Sequence, residues 1–198
     1  MKSVQLKSVM LFVASLLVLN LSTIENSHAQ VALGIKAAGN RTNYQKLTTA
    51  NFGMEAGVFM RLGQNFYFQP EVNYSLRNST FKKNSDEISS TNVNLRQHFV
   101  SVPALLGYHF INMENFKFHL TFGPRFDFRI ADNIEGTDWK ANSLQWGAQV
   151  GLGVDLWRFT LDASYCFAAD NFHNTVTTVT QTKFVNTVLV SLGFKILK

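Results

Sequence analysis

From Gln30 onward, apolar residues recur at every second position, the period of an extended strand whose two faces meet different surroundings. The alternation repeats in eight segments. The fifth is the clearest: Phe116, Phe118, Leu120, Phe122, Pro124, Phe126 and Phe128 alternate with Lys117, His119, Thr121, Gly123, Arg125, Asp127 and Arg129. The first, from about Val31 to Gly39, sets Leu33, Ile35 and Ala37 against Gly34, Lys36 and Ala38. Phe52 to Leu62 opposes Met54, Ala56 and Val58 to Glu55, Gly57, Phe59 and Arg61, and the third sets Phe66, Phe68, Pro70, Val72 and Tyr74 against Tyr67, Gln69, Glu71, Asn73 and Ser75. The fourth, around Leu95 to Phe110, is less regular and has Val100, Val102, Ala104, Leu106 and Tyr108 on its apolar face. Leu144 to Asp155, Arg158 to Phe167 and Thr187 to Ile196 complete the set.

Which face points outward separates a soluble barrel from one embedded in lipid. The polar face carries glycines and charges together, as a narrow lumen requires, while the other face is continuously aromatic and aliphatic, as lipid requires. The pattern therefore predicts an all-β fold, an eight-stranded antiparallel up-and-down transmembrane β-barrel with its apolar face outward. Connection lengths agree, because outer-membrane barrels alternate short periplasmic turns with long extracellular loops. Gly63 to Asn65, Ile111 to Asn115 and Leu156 to Arg158 are short, whereas Asn40 to Ala50, Arg77 to Asn94, Ala131 to Ser143 and Ala168 to Lys183 are long and polar. Both termini then lie in the periplasm. The outward aromatics form a periplasmic band containing Phe66, Tyr108, Phe110, Phe118, Phe159 and Phe194, and an outer band containing Phe52, Tyr74, Phe126, Trp146, Tyr165 and Phe167.

The N-terminus reads as a secretory signal: basic Lys2 and Lys7, an apolar stretch from Val9 to Leu21, then the small-x-small sequence Ser27-His28-Ala29. Cleavage before Gln30 makes residues 1–29 the signal peptide and 30–198 the barrel, and 198 residues leave no room for a second domain. No later apolar run reaches the roughly 18 residues of a membrane-spanning helix, so strands must do the crossing. The single cysteine, Cys166, excludes an internal disulfide. A formal net charge of +5 first suggests nucleic acid, but Lys2 and Lys7 leave with the signal and no basic cluster interleaves with aromatics, so no nucleic-acid partner is expected.

The opening Leu33-Gly34-Ile35-Lys36-Ala37-Ala38-Gly39-Asn40, the Pro-containing Phe99-Val100-Ser101-Val102-Pro103-Ala104-Leu105-Leu106, Gly151-Leu152-Gly153-Val154-Asp155-Leu156 and the closing Val190-Ser191-Leu192-Gly193-Phe194-Lys195 resemble strands of the PorT-like outer-membrane β-barrel family typical of Bacteroidetes. The resemblance covers nearly the whole chain after the signal and implies a bacterial outer-membrane location. Its namesake is linked to type IX protein secretion. Ser101 and Ser164 stand where that family often carries glutamate and arginine, and the chain ends Ile196-Leu197-Lys198 rather than on an aromatic residue, with Phe194 nearest.

In an eight-stranded barrel side chains fill the interior, which disfavours a pore. The inward charges by this register are Lys36, Arg61, Lys117, Arg125, Arg129, Arg158 and Lys195 against Glu55, Glu71, Asp127, Asp155 and Asp162. Buried charges are costly unless paired, so a lumen network is expected, with Lys36, Glu71 and Asp162 at mid-depth and Glu55, Arg125 and Asp127 nearer the outer mouth. Catalysis needs a nucleophile, a base and an orienting acid. His119 and Thr121 share the inward face without an acid visible in sequence, His98 points outward and His173 lies in a loop, so no enzyme is expected. Neither the histidines nor Cys166 show a metal-binding spacing, and no cofactor is expected. The leading expectation is a membrane-anchored structural or interaction barrel whose partners are outer-membrane lipid and a protein met through extracellular loops or periplasmic turns. Secretion or surface assembly is the alternative, and a lipid-modifying enzyme the third.

Overall fold

The computed structural model describes residues 30–44, 48–50, 52–82, 92–133, 139–141, 144–174 and 180–197. The expected signal segment and the tips of the long loops lie outside these described residues.

Eight long strands carry the fold: β1 (Val31–Tyr44), β3 (Phe52–Gly63), β4 (Phe66–Lys82), β5 (Asn92–Asn112), β6 (Phe116–Asn133), β8 (Leu144–Leu156), β9 (Phe159–Asn174) and β10 (Thr180–Leu197). They pair antiparallel in the order β10-β1-β3-β4-β5-β6-β8-β9, and β9 pairs back onto β10. The sheet therefore closes, and backbone groups that lipid could not satisfy find partners within the ladder. Two short strands lie off this ring, β2 (Thr48–Ala50) against β4 and β7 (Trp139–Ala141) against β9.

The expected short links are the observed ones. Gly63 sits at φ 123°, a left-handed conformation that strains any side chain, and lets β3 turn into β4. Trp157, at φ 54°, begins the two-residue connection between β8 and β9.

Side chains alternate as the pattern predicts. Ile35, Phe52, Phe66, Leu106, Phe122, Leu152, Leu161 and Val190 are exposed on the outer face, while Phe59, Phe99, Leu105 and Tyr67 are buried inside. Ring pairs such as Phe66 with Tyr108 (centroids 4.5 Å), Phe110 with Phe118 (5.6 Å) and Phe159 with Phe194 (5.3 Å) knit the periplasmic aromatic band across strands.

Strand length is where the structure departs from expectation. β4, β5, β6 and β10 run to 17, 21, 18 and 18 residues, against the roughly 9–11 that cross a bilayer. The periplasmic ends stop at short turns, so the surplus projects from the outer end. Segments expected to be loop from Arg77 and from Ala168 begin as paired ribbons, with Lys82 opposite Asn92 and His173 opposite Thr180. A strand beyond the bilayer has no lipid face, so the apolar alternation fades although the backbone ladder continues.

Candidate functional site

The lumen is the site the fold builds, because inward positions of all eight long strands converge there. Its charges gather in two clusters. In the outer half, Arg125 on β6 donates from Nε to Asp127 Oδ1 (2.9 Å), from Nη2 to Glu55 Oε2 (2.7 Å) and Ser101 Oγ (2.8 Å), and from Nη1 to Gln149 Oε1 (3.2 Å). Asp127 also takes Arg77 Nη2 at 2.5 Å, and Arg77 donates to Gln145 Oε1 at 2.7 Å. The guanidinium groups of Arg77 (4.6 Å) and Arg129 (5.2 Å) both stand over the Phe99 ring.

In the periplasmic half the centre is a carboxylate. Asp155 Oδ2 on β8 receives Arg61 Nη1 (2.6 Å), Lys195 Nζ (2.7 Å) and sits 3.3 Å from His109 Nε2. Arg61 stacks over Tyr67 at 4.3 Å and donates to Gln69 Oε1 at 2.9 Å. Tyr67 in turn fills the space over Gly107, its cross-strand partner, where a Cβ would overlap the ring. Between the clusters, Lys36 Nζ donates to Glu71 Oε2 at 2.7 Å, and Glu71 also accepts from Gln69 (2.7 Å) and Asn73 (2.9 Å).

The structure thus brings Lys36 and Glu71 together, and joins Glu55, Arg125 and Asp127 in one group. Asp162 belongs to neither: its Oδ1 accepts from His119 Nε2 at 2.6 Å and its Oδ2 from Thr160 at 3.0 Å. Arg77, assigned to a loop from sequence, is a buried lumen residue. Arg158, counted as inward, sits in the β8–β9 turn and stacks on Trp157 at 5.5 Å. His119 does have an acid partner, which sequence spacing hid because Asp162 is 43 residues away. A third group that sequence reasoning missed is His109, His119 and Asp155, all buried, each offering one ligand atom within 4.8 Å of the others. Across a barrel no local spacing announces such a set, although parity already placed His109 and His119 inward.

Chemically, the arrangement is a filled interior. Large buried side chains occupy the bore from Phe99 and Arg125 down to Tyr67 and His119, all no more than 3% exposed. The hydroxyl that joins the His119–Asp162 pair, Thr160 Oγ1, donates to the carboxylate at 3.0 Å and not to the imidazole, and the Thr121 hydroxyl points to the Gly151 carbonyl at 3.4 Å.

Comparison with known proteins bears on the barrel fold. Residues 19–174 match the family described as the outer membrane protein beta-barrel domain. Among solved structures, the outer membrane protein OprG from Pseudomonas aeruginosa superposes with a TM-score of 0.55 at 11% identity, covering 87% of this chain and 99% of that one. Neisserial surface protein A (NspA) gives 0.47 at 16% identity, over 86% and 100% of the two chains. Ail, the attachment invasion locus protein of Yersinia pestis, gives 0.44 at 12%, over 86% and 100%. The likeness to OprG shows the fold. No protein of curated function matches the chain in sequence.

Proposed function

Because the chain belongs to the outer membrane protein beta-barrel domain family and resides in the bacterial outer membrane, we propose that it is a membrane-anchored interaction protein without an open pore or a catalytic site. Residues 1–29 are read as its export signal and 30–198 as the mature barrel. The observation that carries this reading is the lumen packed by side chains such as Phe59, Phe99, Arg125 and His119, each at most 3% exposed. With the bore filled, contact with other molecules moves to the rims. There the surplus lengths of β4, β5, β9 and β10 project beyond the bilayer as paired ribbons.

Affinity capture from detergent-solubilised outer membranes tests this, comparing the intact barrel with one shortened by removing residues 79–95, the ends of which, Ser79 and Leu95, are cross-strand partners in the β4–β5 ribbon. A partner retained by the intact barrel and lost by the shortened one supports the reading. Capture of no partner by either form would overturn it. Capture of transport subunits would identify the partner as secretion machinery, the finer role that the PorT-like resemblance implies. Mass spectrometry of lipid A from cells with and without the gene tests the non-enzymatic reading, which predicts identical spectra.

A further inference from the structure

Both lumen histidines near the periplasmic mouth are held by one ring nitrogen, and the acceptors fix which nitrogen carries the proton. His109 Nδ1 lies 2.8 Å from the carbonyl oxygen of Gln64, which can only accept, so Nδ1 donates. His119 Nε2 lies 2.6 Å from Asp162 Oδ1 and donates for the same reason. In the neutral imidazole the other nitrogen is then a lone pair. His109 Nε2 faces Asp155 Oδ2 at 3.3 Å, and His119 Nδ1 faces Asp155 Oδ1 at 3.7 Å. In that form two lone pairs face a carboxylate, an arrangement that a cation placed between them satisfies. His119 Nδ1 and Asp155 Oδ1 are buried with no hydrogen-bond partner, a costly condition for two polar atoms in one pocket.

We propose that His109, His119 and Asp155 form a binding site for a divalent transition-metal ion of the zinc class. Imidazole and carboxylate are the ligand types such an ion takes, and three protein ligands leave one position open. Ligand atoms around tetrahedral zinc stand about 3.3 Å apart at its usual bond lengths; His119 Nδ1 stands 3.7 Å from the free Oδ1, and ligand atoms of all three residues lie within 4.8 Å of one another, so small side-chain shifts close the set around an ion. The outer partners fit equally well: histidine ligands of metals donate their second N–H to a carboxylate or a backbone carbonyl, the roles of Asp162 and Gln64 here.

The fold supplies this set from three adjacent strands. His109 and His119 are direct cross-strand partners on β5 and β6, at a register shift between His109 and Ile111 that re-aims the side chain. Asp155 enters from β8, opposite Lys117. Gly153 faces His119, and a Cβ there would strike His119 Nε2 and Asp162 Oδ1, so its bareness preserves the orienting hydrogen bond. The His109 amide bonds the Asn65 carbonyl at 2.8 Å in the exposed β3–β4 turn, which puts the pocket just inside the periplasmic mouth where an ion can enter. Arg61 and Lys195 share Asp155 Oδ2 and leave Oδ1 to the ion. Lys195 is the competitor: with Arg61 held on Asp155 as well, its charge must withdraw when the ion arrives as a third cation.

Zinc(II) titration by calorimetry, on the barrel of residues 30–198 in detergent micelles with His98 and His173 replaced by Gln, tests the site. One ion per barrel is expected, with binding lost in His119→Gln and roughly 10–100-fold weaker in Asp162→Asn, while Lys195→Gln binds more tightly. No zinc uptake, or equal affinity in His119→Gln, overturns the site. If His119→Gln loses heat-modifiable migration, the ring nitrogens of the parent variant decide, because only His109 and His119 remain: both ¹⁵N signals shift with zinc if the site exists, and unmoved signals overturn it.

Discussion

The two ends of the lumen solve the same problem with opposite charges at the centre. In the outer half a guanidinium, Arg125, is surrounded by acceptors, and Nε, Nη1 and Nη2 all reach Asp127, Glu55, Ser101 or Gln149. In the periplasmic half a carboxylate, Asp155, is surrounded by donors that crowd onto one oxygen, while Oδ1, Arg61 Nη2 and His119 Nδ1 have no hydrogen-bond partner. A planar cation with five N–H donors in a fixed fork can be divided among several neighbours. A carboxylate served by long side chains from different strands is filled less evenly. The fully used fork of Arg125 acts as a bolt across the barrel, whereas Asp155 keeps one oxygen spare; at the outer end the spare atoms, Arg77 Nε and Gln145 Nε2, lie on the neighbours of the central group and not on the group itself.

That contrast should appear first in stability. Arg125→Met leaves Glu55 and Asp127 buried beside each other without their shared cation, and should lower unfolding free energy by about 3–5 kcal/mol in denaturant titrations monitored by tryptophan fluorescence. Asp155→Asn should cost less, about 1–3 kcal/mol, because Arg61 keeps Gln69 Oε1 and its stacking on Tyr67 and the flexible stem of Lys195 can carry its charge toward water at the periplasmic mouth. A larger loss for Asp155→Asn than for Arg125→Met would break the comparison. Gly153→Ala should cost about 1–3 kcal/mol through overpacking, and it should also uncouple His119 from Asp162, visible as a shift of the His119 ring resonances. The smallest expected effect is none: Cys166, 4% exposed and 3.9 Å from Arg125 Nη1, should not react with a maleimide in the folded barrel and should react fully after unfolding. Rapid labelling without unfolding would mean that the outer half is open.

Much of this architecture was legible in the chain because a lipid-facing strand imposes a strict period of two. Phe116 to Phe128 show it most plainly, and the parity that sends Arg125, Asp127 and His119 inward follows from the same count. The ends of the strands were not legible. Ser79, Thr80 and Lys82 pair with Leu95, Asn94 and Asn92 outside the bilayer, where neither face must be apolar. Pairing inside the lumen was also hidden, since parity gives the face and approximate depth of a residue but not which residue across the bore it meets. Lys36 finds Glu71 from 35 residues away and Arg61 finds Asp155 from 94. Ser101, a departure from the pattern of the resembling family, lies against Arg125 and supplies a hydroxyl acceptor at 2.8 Å, with Glu55 providing the charge.

Central to this account is a barrel whose interior is occupied by its own side chains, and single-channel recording in planar lipid bilayers measures that directly. The purified barrel should insert, as judged by heat-modifiable migration of the reconstituted protein, and give no stepwise current across the membrane. Stable, ohmic conductance steps that disappear when the protein is unfolded would contradict a closed lumen and return the search for function to a channel.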